Sequence, residues 1–344
     1  MSLLPLATRP THKVVPLLRS ELSRISHRRL LRVLTLLFLG GIILVSAISF
    51  VTHRSTAGST PEELERNRAQ QQQFYDACSA NQKRHCGADP STQPLERYDY
   101  GENKQYRAKE MLPAAVLGVS IAAAGIAFIV GASSGGAEWS SRSMTLQLLW
   151  EPRRLRLLIT KWVGLIAVMT AVTIVALALA VGLSALTATV RGSWDQGKLP
   201  SEFGDQSLWP ALAPLAGRGL VLVAIAATIG YAIAILVRNT GASLGVAFVY
   251  FAVFETAVGL ALMKYGPEPY LFRSNTAAFM LPGGLDLPGR RLDAAQIDPY
   301  AGGYLTVDTV QVHVSNARAL LTMLVYTALV AVPAAWSFTR RDVG

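Results

Sequence analysis

The chain has 344 residues, of which 51% are hydrophobic and only 16% charged, with a formal net charge of +10. A mean hydropathy of +0.34 excludes an ordinary pair of soluble domains and puts much of the length in lipid. The surplus positive charge then points to anionic lipid headgroups, not to nucleic acid.

Six stretches are long and apolar enough to cross a bilayer: 33–51, 111–131, 162–190, 219–237, 241–263 and 319–338. The shortest run to about 19 residues, and ~1.5 Å of rise per residue gives about 29 Å, close to the ~30 Å hydrocarbon core. An even number of spans puts both chain ends on one side. If that side is cytoplasmic, the inner segments are 1–32, 132–161, 238–240 and 339–344. These hold nearly as many lysines and arginines as the outer segments, which are twice as long. The positive-inside rule favours this orientation. The expected fold is an all-α polytopic membrane protein with six transmembrane helices, cytoplasmic N and C termini and two sizeable extracellular segments.

Residues 1–15 are irregular in pattern, with Pro5 and Pro10. From Pro16 the text PLLRSELSRISHRRLLRV reads as a helix with Leu18, Leu22 and Ile25 along one face and Arg19, Arg24, Arg28, Arg29 and Arg32 around the rest. Such a helix suits the inner headgroup layer before the chain turns up into the first span, the alternative being a flanking basic cluster that only fixes orientation. Span 33–51 follows as an anchor, because too many charges precede it for a cleaved signal. Segment 52–110 is extracellular in this orientation. In it Thr60-Pro61-Glu62-Glu63 marks a helix start, with a threonine cap, proline in the first turn and glutamate at the third position. Cys78 and Cys86, the only two cysteines, fall here and are expected to form a disulfide. A metal site from Cys78, His85 and Cys86 lacks a fourth ligand at ordinary spacing.

Span 111–131 is rich in Gly and Ala, as packed membrane helices often are. In the cytoplasmic loop 132–161, residues 133–136 (SSGG) are expected to loosen the chain, and Glu138 and Trp139 to begin a polar helical run. Residues 144–150 form a short amphipathic segment whose Met144, Leu146, Leu148, Leu149 and Trp150 must lie on lipid or protein. Pro152 breaks this helix and can start the next. Arg153, Arg154, Arg156 and Lys161 then sit where the third helix meets the headgroups.

Span 162–190, counted from Pro152, gives a helix of ~58 Å that must project from the membrane or tilt. In segment 191–218, residues 208–215 read as an interfacial or partly re-entrant piece anchored by Trp209. The fourth and fifth spans, 219–263, are joined only by Arg238-Asn239-Thr240. Glu255 is the one charge within the spans, and a charge there costs ~2.5–3.5 kcal/mol, so it must face protein or water. It is either a substrate or gating contact, or a carboxyl bonded to neighbouring helices or shared across a dimer. Segment 264–318, extracellular and rich in Pro and Gly, argues against long helices. Within it 305–314 alternates well enough for one strand or an extended stretch. Residues 319–344 hold the sixth span and a short tail.

No phosphate loop, HExxH or GxSxG occurs, so no catalytic, cofactor or metal-binding residue is expected in this chain. The run Glu138…Arg142-Ser143-Met144-Thr145-Leu146…Leu149…Pro152-Arg153-Arg154…Lys161 resembles the cytoplasmic loop of the type-two ABC exporter permeases. RSELSRISHRRLLRVL is similar to that family's connecting helix. ATIGYAIAILVRNTGASLGVAFVYFAVFE is similar to its fourth–fifth hairpin, including the late acidic residue. The resemblance covers most of the membrane part and none of 52–110; Arg142 stands where the family often has Gly.

The resemblance implies a permease subunit of the bacterial plasma (inner) membrane that moves a hydrophobic or amphipathic substrate outward by alternating access. Its partners would be a second permease, expected to be another copy of this chain, and two copies of an ABC ATPase subunit that carry the ATP and Mg. Segment 144–150 would be the coupling helix between the second and third spans. Glu138, Pro152 and Arg153 would complete the ATPase-coupling set. Two rival readings are an anchored interaction or sensor protein using its extracellular segments, and an ion-coupled secondary transporter. The latter class usually shows internal repeats and several buried charges.

Overall fold

The computed structural model describes residues 14–55, 59–80, 88–98, 105–141, 143–150, 153–194, 199–203, 207–262, 265–291, 296–297, 305–306 and 309–340. These are mostly helical, and six of the helices are long and apolar enough to cross a membrane.

Helix α1 (Val14–Ser26) and helix α2 (Arg29–Thr52) are separated at His27 and Arg28. The sequence predicts one helix through this point; instead Arg28 is extended (φ −64°, ψ 128°), and α1 turns back to pack on the third span. Helix α3 (Pro61–Ser79) starts on the expected capping box: Thr60 accepts the Glu63 N–H, and the Glu63 carboxylate accepts the Thr60 N–H at 3.0 Å. Two 3-10 turns close against it, held by Asn67 donating to Tyr98 O and the Tyr98 hydroxyl donating to Pro90 O, 3.0 Å each.

Strand β1 (Tyr106–Arg107) leads into α4 (Ala108–Ser140), the short α5 (Ser143–Trp150) and α6 (Arg154–Arg191). At ~1.5 Å per residue α6 is about 57 Å long, well beyond the ~30 Å core, as expected. Strand β2 (Gly192–Ser193) then pairs in parallel with β1. Helix α7 (Leu208–Val237) takes in residues 208–215, so that piece is the first two turns of the fourth span and not a separate interfacial element. Pro210 lies in the first turn, where a missing N–H costs nothing.

The fifth span is α8 (Thr240–Phe248), a π-helical stretch (Val249–Glu255) and α9 (Thr256–Ala261). Helix α10 (Phe272–Met280) follows, then β3 (Leu285–Arg291), β4 (Gln296–Ile297), β5 (Leu305–Thr306), β6 (Thr309–Val314) and α11 (Asn316–Arg340). β3 pairs antiparallel with β6, and β4 with β5. The single strand expected over 305–314 is thus two, with different partners. Gly283 and Gly284 make the turn before β3 at φ +81° and +100°, where a side chain would be strained.

α4 and α7 form the central pair, with α6 and α11 beside them. In their most apolar windows α7 is 50% buried and α2 only 6%, so the first span is peripheral. Small residues set the central contact. A Cβ on Gly131 would fall 2.5 Å from Ala227 O, and one on Gly136 would collide with the Thr240 backbone. The SSGG text is therefore a close-packing seam inside an unbroken α4, not a linker. Lipid gives apolar side chains no reason to associate, so close backbone approach supplies the packing.

Candidate functional site

Several segments converge where α4 finishes and α6 begins. Past the last turn of α4 the hydroxyls of Ser141 and Ser143 donate back to Glu138 O at 3.5 and 3.3 Å. These bonds satisfy a carbonyl at the helix end and let the chain reverse into α5. Met144 is fully buried, whereas Leu146 is 61% exposed. The short helix is thus pinned to the bundle by one side chain and turns another outward. The side chains of Leu148, Leu149 and Trp150, and Pro152 and Arg142 altogether, lie outside the described residues. Arg153 is exposed, and its carbonyl accepts the Leu157 N–H at 3.2 Å at the start of α6.

Behind α5 sit four charges from four places in the chain. Glu138 comes from α4, Lys161 from α6, Glu21 from α1 and Arg28 from the break before α2. Arg28 Nη2 donates to Glu138 Oε1 at 2.6 Å, and Lys161 Nζ lies 2.8 Å from Glu138 Oε2. The same ammonium is 3.3 and 3.4 Å from the two Glu21 oxygens. Glu21, Glu138 and Lys161 are at most 5% exposed. The half-exposed Arg24 also reaches Glu21 at 3.4 Å, so each carboxylate meets two cations, which makes their burial tolerable; removing a buried member would strand an undercompensated charge. Lys161 is therefore a buried partner of two acids and not the headgroup contact expected from its position.

Sequence reasoning missed Glu21. The signal was present: it shares a helical face with Leu18, Leu22 and Ile25, one acid on the apolar side of a basic helix. Ile25 is buried on that face, so it packs against protein.

The same end gathers the remaining spans. The Trp139 ring meets Phe338 of α11 edge-on at 6.2 Å, and the Arg238 guanidinium lies 4.3 Å from its centroid. Arg238 closes α7 in the left-handed region (φ 58°), which costs an L-residue ~1–2 kcal/mol, and Asn239 caps α8 by accepting the Ala242 N–H at 3.0 Å.

At the opposite end the π-helical stretch turns Glu255 inward, to 1% exposure. Its carboxylate accepts the N–H groups of Phe272 at 2.6 Å and Arg273 at 3.3 Å, and the Tyr250 hydroxyl at 3.1 Å. It thus sits on the positive end of α10. Arg218 of α7 donates to Met280 O at 3.3 Å at the other, negative end. Asn316 adds bonds to Ala278 O and Leu281 O at 2.8 and 2.6 Å. So held, α10 forms one wall of an apolar cleft of ≈ 690 Å³ whose other walls include Ile121, Phe128, Ala226 and Phe251. Outside the bundle, Cys78 is disulfide-bonded, and Cys86, expected as its partner, lies outside the described residues.

A family model described as ABC-2 family transporter protein matches residues 17–343. No curated protein matches the chain.

Proposed function

Because the chain belongs to the ABC-2 family of transporter proteins and is a multi-pass membrane subunit, we propose that it is the permease of an exporter driven through α5 by separate ATPase subunits. Permeases of this family normally work with an ATPase. The proposed assembly is two copies of this chain and two ATPases, which supply ATP and Mg, in the plasma membrane with both termini cytoplasmic.

One observation carries the reading: α5 is short, anchored inward by Met144, and backed by a buried charge group joining α1, α4 and α6. A push on α5 reaches three helices at once, as rigid-body transmission requires. Leu146 is the outward contact for the ATPase groove. The cleft beside α10 offers apolar walls to a hydrophobic or amphipathic substrate, with Glu255 holding that wall in place.

The test is purification of the tagged full chain. A cassette ATPase should accompany it in equal amount, and its vanadate-sensitive hydrolysis should respond to the permease. Leu146→Asp should leave membrane insertion intact and cut ATPase retention by about 10-fold or more, the loss expected when an apolar interface anchor worth ~1.4 kcal/mol or more is replaced by a charge. A wild-type chain that purifies without any ATPase would sink the reading.

A further inference from the structure

A second cleft, of ≈ 610 Å³, lies away from the first, between α2, α4 and α6. One end is apolar, walled by Leu37 and Phe38 of α2, Ala122 of α4 and Ala180 of α6. At the end beside the β1–β2 ladder it is polar, lined by Ser49 and the buried Tyr106, Ser184 and Thr187. Along α4 it runs from Met111 to Ala122, which at ~1.5 Å per residue is about 17 Å, close to half of the ~30 Å hydrocarbon core. One leaflet deep, greasy below and hydroxyl-lined above, it has the profile of an acyl chain with its glycerol region.

A cation stands beside this polar end. Arg191 lies one turn beyond Thr187 on α6, its guanidinium 4.9 Å from the centroid of the Phe50 ring, next to Ser49. Gly192 pairs with Tyr106 in the β1–β2 ladder, which fixes Arg191 beside that end; a Cβ on Gly192 would strike Tyr106 O. The other cations at this rim are committed: Arg54 to Glu63 at 2.9 Å and Arg107 to Glu110 at 3.2 Å. Among the described residues Arg191 has no carboxylate partner. Tyr106 is buried, its ring meeting His53 edge-on at 5.2 Å, and burial pushes its phenol up.

From this we infer that the cleft between the first three spans is a binding site for an acidic phospholipid of the leaflet on the α3 side, one acyl chain inserted and the phosphate at Arg191. The site is separate from the proposed transport cleft and does not depend on the orientation of the chain in the membrane.

Native mass spectrometry of the purified full chain tests it, using micelles that contain phosphatidylglycerol and phosphatidylcholine of identical chains in equal amounts. The wild type should retain one phosphatidylglycerol in preference to phosphatidylcholine. Arg191→Gln should lower that preference about five-fold, the factor for one basic residue at headgroup level. Gly118→Phe fills the cleft from the α4 wall, where a Cβ meets nothing within 4 Å, and should abolish retention of both lipids. Ser46→Phe does the same from α2 and reports if the first variant does not fold. Equal retention of the two lipids by the wild type, retention of neither, or retention unchanged by the filling variants would overturn the assignment.

Discussion

Glu138 and Glu255 are both carboxylates buried in a membrane bundle, and the protein satisfies them in opposite ways. Glu138 is met by two cations, and one of these is shared with a second acid. Glu255 is met by peptide N–H groups and a phenol. The first arrangement joins helices distant in sequence and fails if any member is lost. The second joins a span to the short helix that follows it, and most of its hydrogen bonds survive loss of the charge. The end that would receive force is thus the more tightly interlocked one, and the end beside the apolar cleft is held more loosely.

Lys161→Met probes the difference at its strongest, since it leaves Glu138 with Arg28 alone and Glu21 with only the half-exposed Arg24. It should destabilise the protein by about 3–5 kcal/mol, read as a lower melting temperature in detergent. Adding Glu138→Gln to it should recover part of the loss, because contacting residues are coupled. The seam between the two ends comes next. Gly131→Leu should cost about 1–3 kcal/mol by forcing α4 from α7, while Gly125→Ala, whose Cβ meets nothing, should melt like the wild type. The smallest effect belongs to Glu255→Gln, about 1 kcal/mol from the lost charge at a helix N-terminus. Hydrogen exchange should then quicken at residues 272–275 and stay unchanged in α1. Equal exchange changes at both ends would erase the contrast.

The six spans were legible because lipid selects composition over length, and that signal survives without any tertiary information. The α3 capping box was legible because it is local. What composition could not resolve was purpose. Glycines and serines serve linkers and tight helix seams alike, and only Ala234, Tyr231 and Thr240 across the interface decide that residues 133–136 are a seam. Lys161 looked like a headgroup anchor because its partner Glu21 is 140 residues away. The π-helical turn in VYFAVFE leaves no periodic trace, yet it sets the direction of Glu255.

The pairing of Tyr106 with Gly192 joins the strand that leads into α4 to the strand that leaves α6. At their far ends the same two helices are joined by Glu138 and Lys161. Two long struts fastened at both ends make a closed frame, which can swing but cannot scissor. A displacement of α5, as proposed above, is therefore expected to tip the second and third spans together.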